Sequence, residues 1–488
     1  MRLAAALELD SQGKSMKNLL RISAAALLTI AFTSCAWAQW SSDPMLNLAL
    51  AANPNGSDQV QPKLLPLKQI GWYSSWFDSN PATSHPQGYD VFYQRLSSAG
   101  VQKFPQGGIM VADLTNSSTE DYGLGVDTSG NALIAFLDTR EGISNQQITA
   151  AKMAPDGDAL WSRHGVQLTN DSDFHAAPKV VGTSDGYIVV AWTSNSDVVL
   201  QKLNASGVAQ WGSGVVFSQT GFDYLLADLH AADDGSVIVS WVSNDGFGSN
   251  SQLWTNKASS SGSLLWGSGN VNIFNVGSLQ FGNFPYFVYD GNGGAVFAWY
   301  TSIPTLQCFA QHIRSDGSAA FPQNGVAGSG NNINVHVSPA AAYSLATDEV
   351  FMFWTEEDSN QVLNGVYGQK FNSTGELEWG ADGLTIVPLG ADQQIFVSTV
   401  QMGSGALVFW VDVQSYGSST IQATKLDDSG ATLCAQFPVS SVPSNKSRLV
   451  AAIAPGSIAA VAFEDDRTGN NGIYIQNVNP DCSLGQRQ

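Results

Sequence analysis

Residues 177–217 read APKVVGTSDGYIVVAWTSNSDVVLQKLNASGVAQWGSGVVF. An apolar run leads to a Gly-rich turn. An alternating stretch then ends in an aromatic, a polar loop follows, and a second alternating stretch closes at a Gly turn with an aromatic four residues beyond it. Period-two alternation broken by Asp, Asn, Ser and Gly predicts a string of β-hairpins, four strands to the unit. No segment has helical periodicity of useful length.

The unit recurs. The aromatic that closes the second strand returns as Trp76, Phe136, Trp192, Trp241, Trp299, Trp354, Trp410 and Phe463, at intervals of 49 to 60 residues. Such a period predicts an all-β fold, an eight-bladed β-propeller of four-stranded blades, because each small sheet can bury its faces only against neighbours around a ring. The turns between third and fourth strands agree. Gly100, Gly157, Gly207, Gly262, Gly317, Gly375 and Gly430 each precede, by four residues, Phe104, Trp161, Trp211, Trp266, Phe321, Trp379 and Cys434. The eighth turn falls at Gly485, too late for a fourth strand to follow. The stretch WSSDPMLNLALAANPNGSDQ from Trp40 matches WGADGLTIVPLGADQQ from Trp379 in register. The residues after Gln39 are therefore predicted to supply the missing outer strand and hide the open edge.

Residues 16–38, MKNLLRISAAALLTIAFTSCAWA, combine a basic head, an apolar stretch and a small-x-small site at Ala36-Trp37-Ala38, the pattern of a secretory signal. The reading is residues 1–38 as an upstream extension and signal peptide (Met16 to Ala38), and 39–488 as one propeller, secreted or periplasmic. Lipid attachment at Cys35 is the alternative, poorly matched by Phe32 three residues before it. No other segment is apolar enough to cross a membrane. The net charge of −20 argues against nucleic acid and anionic lipid as partners. Beyond Cys35 the cysteines are Cys308, Cys434 and Cys482, without zinc spacing. Cys434 replaces the repeated aromatic in blade 7, and Cys482 lies in the turn of blade 8 that this aromatic would touch. They form the disulfide candidate, with Cys308 a buried free thiol.

The segments GNGGAVFAWYTS, IAFLDTREG, VAFEDDRTGNNGIYIQ and VYGQKFNSTGELEW resemble the repeat of secreted bacterial propeller proteins of largely unassigned function, GG-x-x-V-A-W-x-D-x-R followed by Y-A-Q-x-x-D-x-x-G-x-x-x-W. The resemblance spans essentially all of residues 39–488. The Gly-x-x-x-Trp element also looks like the tryptophan-docking motif of quinoprotein propellers, which implies an indole packed between neighbouring blades. The leading Ala-x-Asp and the vicinal cysteine pair of those proteins are absent, so the resemblance carries the fold and not the cofactor.

Candidate chemistry is sparse. Gly182 to Gly186 has nucleophile-elbow spacing, but it sits at a hairpin turn rather than the strand-to-helix turn that motif needs. His175 and His336 each stand three residues before a proline, Pro178 and Pro339, at matching registers in blades 3 and 6. This places them near one mouth of the channel as polar lining. The loops between second and third strands carry the clustered acids. Glu356, Glu357 and Asp358 adjoin, as do Glu464, Asp465 and Asp466, and these loops emerge on one face. Adjoining carboxylates repel, so a compensating cation or base is expected. Ca²⁺ is one candidate; no cofactor is required. Trp72, Tyr73, Trp76 and Phe77 suggest core packing on one strand face and a sugar-stacking platform on the other.

The reading is an exported, non-enzymatic binding or scaffold propeller that takes a protein or carbohydrate ligand through an acidic loop face, at Glu356–Asp358, Glu464–Asp466, His175 and His336. A carbohydrate-active enzyme using a carboxylate pair at the channel mouth, and a periplasmic outer-membrane assembly scaffold, are the alternatives.

Overall fold

The computed structural model describes residues 40–52, 56–68, 71–79, 88–113, 120–142, 144–246 and 250–486. The expected signal segment lies outside them. Eight antiparallel sheets form an eight-bladed propeller. Seven blades occupy residues 59–112, 123–167, 175–217, 223–274, 278–327, 335–390 and 393–444 in turn. The eighth combines 446–478 with the N-terminal strand Leu48–Ala51. The first strand of each blade touches the first strands of its neighbours, so these strands make the inner wall. In blade 5 that strand is broken into Ser278–Leu279 and Phe287–Tyr289.

The second strands are the apolar heart of each blade. Trp72, Trp76, Trp241, Trp299, Trp354 and Trp410 are fully buried. Between blades 2 and 3 the inner strands pack backbone to backbone. A Cβ on Gly125 would lie 2.4 Å from the Val180 carbonyl oxygen, and one on Gly182 would lie 2.4 Å from that of Val126.

A repeated clamp joins the blades at their outer seams. An amide in the third strand uses its oxygen to accept two backbone N–H groups: that of the next residue and that of the docking aromatic ten residues on. Gln94 holds Phe104 in this way, Gln201 holds Trp211, Asn256 holds Trp266, Gln311 holds Phe321 and Gln369 holds Trp379. Where the aromatic is Trp, its indole N–H donates to a turn carbonyl of the next blade: Trp161 to Ala205, Trp211 to Ser260, Trp266 to Ser315 and Trp379 to Asp428. Bonding both ends of the indole lets a large aromatic bury its faces without orphaning its polar edge.

Trp40 takes the same part. It is buried, its indole donates to the Ser98 carbonyl at 2.8 Å, and it packs on Gly100. Gln476 of blade 8 donates to the Ser41 carbonyl at 2.9 Å, as the other amides bond beside their own docking aromatics. The N-terminal strand pairs Leu48 with Ile475 and Ala49 with Tyr474. Two blades depart from this clamp. Blade 2 has Ala151 at the amide position, and blade 7 has Thr424 there and Cys434 in place of the aromatic, with Cys434 disulfide-bonded to Cys482 of blade 8 at a Cα–Cα distance of 6.5 Å. Cys308 is free and buried.

Candidate functional site

Two residues beyond the aromatic of each second strand stands a polar residue: Asp78, Asp138, Ser194, Ser243, Thr301, Glu356, Asp412 or Asp465. In four blades a side chain of the facing first strand contacts it. Gln59 meets Asp78 at 3.2 Å, His336 meets Glu356 at 3.3 Å, Gln394 meets Asp412 at 2.7 Å and Lys446 meets Asp465 at 3.3 Å. The repeated acids and the histidine before Pro339 are therefore two halves of one buried cross-strand rung. Burying a polar group demands such a partner.

Apart from Glu357, the acids selected from sequence are spent locally. Glu356 accepts from Asn334 at 2.7 Å and from the Trp354 indole at 3.3 Å. Burial opposes its charge, but His336 and Asn334 hold the carboxyl below its ordinary range. Glu357 is raised by burial and by Asp358. Asp358 accepts the Val362 and Leu363 N–H groups and shapes its own turn. Asp465 accepts the Arg467 backbone N–H at 2.8 Å and pairs with its guanidinium, which continues to Asn47, just before the N-terminal strand. Asp466 accepts two bonds from Asn445. These trios lie on blades 6 and 8, with blade 7 between them. His175 is buried against Asp171 at 2.9 Å on blade 3, and His336 is fully buried beside Gln307 on blade 6. Neither lines a wet channel. Trp72, Tyr73, Trp76 and Phe77 are all core, so these four rings form no stacking platform. Among the described residues, no three His, Cys, Asp or Glu side chains gather as a metal-holding group.

The inner wall carries what the sequence did not announce. At one register of the first strand, Gln61, Ala177, Ser338, Phe396 and Arg448 all have left-handed backbone, with φ between 48° and 56°. Each sits at a bulge where the ladder slips against the second strand. A left-handed residue other than glycine costs about 1–2 kcal/mol, so the wall holds strain at five equivalent places. Glu464 helps to hold one of them, accepting the Gln61 N–H at 2.7 Å across the seam between blades 8 and 1. The same carboxylate accepts from Ser447 and pairs with Arg448 Nε at 3.3 Å.

Next to the kinks runs a charged arc. Asp121 of blade 2 lies between Lys63 of blade 1, at 2.7 Å, and Lys179 of blade 3. Burial works against ionisation there, yet the two ammonium groups hold the Asp121 carboxyl far below the usual carboxylate range. Burial also opposes the Lys179 charge, and Tyr286, Asp121 and Asp228 overcome it. Asp228 of blade 4 contacts His230 at 3.0 Å and accepts the Phe287 N–H at 3.1 Å; it too is held ionised against its burial, chiefly by His230. Tyr286 of blade 5 reaches Lys179 of blade 3, its ring 4.9 Å from the ammonium, so it crosses the lumen past blade 4.

Tyr286 belongs to the excursion that breaks the blade 5 inner strand, residues 280–286. Phe281 is 77% exposed, Tyr286 63% and Phe284 41%. Signals for this wall existed in the sequence as Pro62-Lys63 and Pro178-Lys179, matching pairs at the same register, and as the aromatic run FGNFPY at 281–286.

No family model and no curated protein matches the chain. Among solved structures, prolyl oligopeptidase B from Galerina marginata aligns over 86% of this chain and 56% of its own, at 12% identity and TM-score 0.44. A puromycin hydrolase aligns over 88% and 61%, at 13% identity and TM-score 0.43. The α-L-arabinanase of Penicillium chrysogenum, complexed with arabinobiose, aligns over 63% and 94%, at 10% identity and TM-score 0.35. Likenesses this remote carry no argument about what this chain does.

Proposed function

We propose that the protein is an exported binding propeller whose ligand, a carbohydrate, enters the channel and stacks on the aromatic excursion of blade 5. The observation that carries this reading is the exposure of Phe281, Phe284 and Tyr286 at the break in the blade 5 inner strand. Exposed aromatic faces beside hydrogen-bonding side chains suit sugar rings, which present apolar faces and polar rims. At the arc, binding is favoured over hydrolysis because a glycosidase needs a carboxylic acid that stays protonated near its working pH. Asp121 and Asp228, the carboxylates of the arc, are both held ionised.

A glycan array followed by titration calorimetry tests the proposal. A bound oligosaccharide should lose at least about tenfold in affinity with Phe281→Ala or Tyr286→Ala, each removing a stacking contact worth about 1.4 kcal/mol. Unchanged affinity in both variants, or release of reducing ends from the bound sugar, would overturn it.

A further inference from the structure

We infer that the kinked wall of blades 6 to 8 recognises a carboxylated sugar, a uronate, with Arg448 as the carboxylate fork and Phe396 as the face beneath the ring; this rests on the carbohydrate reading above. Three observations converge. First, Ser338, Phe396 and Arg448 stand at one register on three consecutive inner strands, and all three side chains are exposed. A left-handed backbone on a bulky residue is a true outlier, and here it recurs with a hydroxyl, an aromatic ring and a guanidinium side by side around the lumen. Second, Arg448 is held by one edge. Its Nε pairs with Glu464, which is itself fixed by Ser447 and by the Gln61 N–H. The two terminal nitrogens have no partner among the described residues, and that fork matches a carboxylate in bidentate fashion. Third, at the seam of blades 8 and 1 the wall is cation-outward. The Arg448 side chain is 51% exposed, whereas that of Glu464 behind it is 5% exposed. In a chain of net charge −20, an exposed guanidinium backed by a buried carboxylate marks this point of the inner wall as a place where an anion is accepted against the overall field.

The geometry gives each group a task. Glu464 acts through Arg448 as a positioning residue, fixing the guanidinium plane. Phe396, 40% exposed on the neighbouring blade, supplies an apolar face. Ser338 supplies a hydroxyl to the ring rim. The rest of an oligosaccharide would continue across the lumen toward Tyr286 and Phe281.

The test titrates the intact protein with tri-uronates of galacturonate, glucuronate and mannuronate, each beside its carboxyl-reduced neutral counterpart. At least one uronate should bind about tenfold or more tighter than its neutral counterpart, with the advantage shrinking as salt rises. Arg448→Gln should bring the uronate down to the neutral level and leave the melting temperature within about a degree. Arg448→Lys should restore part of the preference, since it returns the charge without the fork. Equal binding of acidic and neutral sugars, or a preference that survives Arg448→Gln, overturns the inference but leaves the carbohydrate reading standing if Tyr286→Ala still abolishes binding. Binding by no sugar of either kind overturns both. The acid-against-neutral comparison uses the unaltered protein, so a variant that fails to fold does not spoil it.

Discussion

The outer seams and the inner wall are built from the same eight repeats and treat them in opposite ways. At the seams the chemistry barely varies. An amide, a docking aromatic and a glycine turn meet again and again, and a basic residue one past the amide position, which is Ala151 in blade 2, reaches an acid in the adjoining hairpin turn: Lys152 to Asp127, Lys202 to Asp185, Lys257 to Asp233, His312 to Asp290, Lys370 to Glu349. At the wall the backbone kink recurs in five blades but the side chains mostly differ. One register holds Lys63, Gly123, Lys179, Asp228, Ala340, Ser398 and Val450 in blades 1 to 4 and 6 to 8, and in blade 5 Tyr286 stands just before the paired strand. Positions that recur solve the packing problem that every blade shares. Positions that diverge are free of it, and the exposed, strained and unpaired groups collect there.

The largest effect should come from breaking the seam at ring closure. Trp40→Ala removes a buried indole and its bond to Ser98, at about 3–5 kcal/mol. Deleting residues 40–51 should abolish cooperative unfolding, since it strips the eighth blade of its outer strand. Denaturant titration checks both, and a truncated protein that unfolds as the intact one does would show that the seams are not equivalent.

Next comes the seam where a disulfide stands in for an aromatic. Cys434 and Cys482 close a loop of 48 residues, for which chain entropy allows about 4 kcal/mol. Reductant, or Cys434→Ser, should lower the calorimetric melting temperature by several degrees. Identical melting with and without reductant would mean that the bond replaces the indole in position only.

Asp121→Asn carries the comparison to the wall. It leaves Lys63 and Lys179 facing a neutral group and should cost about 2–3 kcal/mol at neutral pH. The Asp121 pKa is depressed in the fold, so its contribution is complete above the unfolded carboxylate pKa, near 3.9, and fades only as pH falls through the lower folded value. The stability gap between protein and variant should thus stay constant from pH 7 to about pH 4.5 and close in stronger acid. A gap that closes near pH 6 would point to a histidine instead.

The smallest effect should have the opposite sign. Phe396→Gly relieves a left-handed φ of 54° on an exposed side chain, against which glycine's extra unfolded entropy counts. The balance should stabilise by up to about 1 kcal/mol while weakening sugar binding. Any clear destabilisation would mean that the kink is relaxed and that the wall stores no strain there.

The fold was legible in the chain because hairpin alternation and turn glycines are local, and because a repeat prints its own register eight times. The closure by Trp40 was legible for the same reason, as a unit with its last strand displaced to the other end. The acids and histidines were visible too, but their role was not. Glu356 and His336 are 20 residues apart, and only strand pairing shows that each satisfies the other.

Sequence alone determined the blade count and the closing strand and marked Cys434 and Cys482 as a candidate pair, since each depends on one residue's offset within a periodic unit; the bond itself came from the structure. Tertiary structure alone decided which polar groups were consumed and which were left over. Lys63, Asp121 and Lys179 come from three different blades, Tyr286 reaches past blade 4 to join them, and the φ values that turn Phe396 and Arg448 outward arise where a straight inner strand must bend to fit a ring. No single repeat contains that curvature; it exists only once eight of them close.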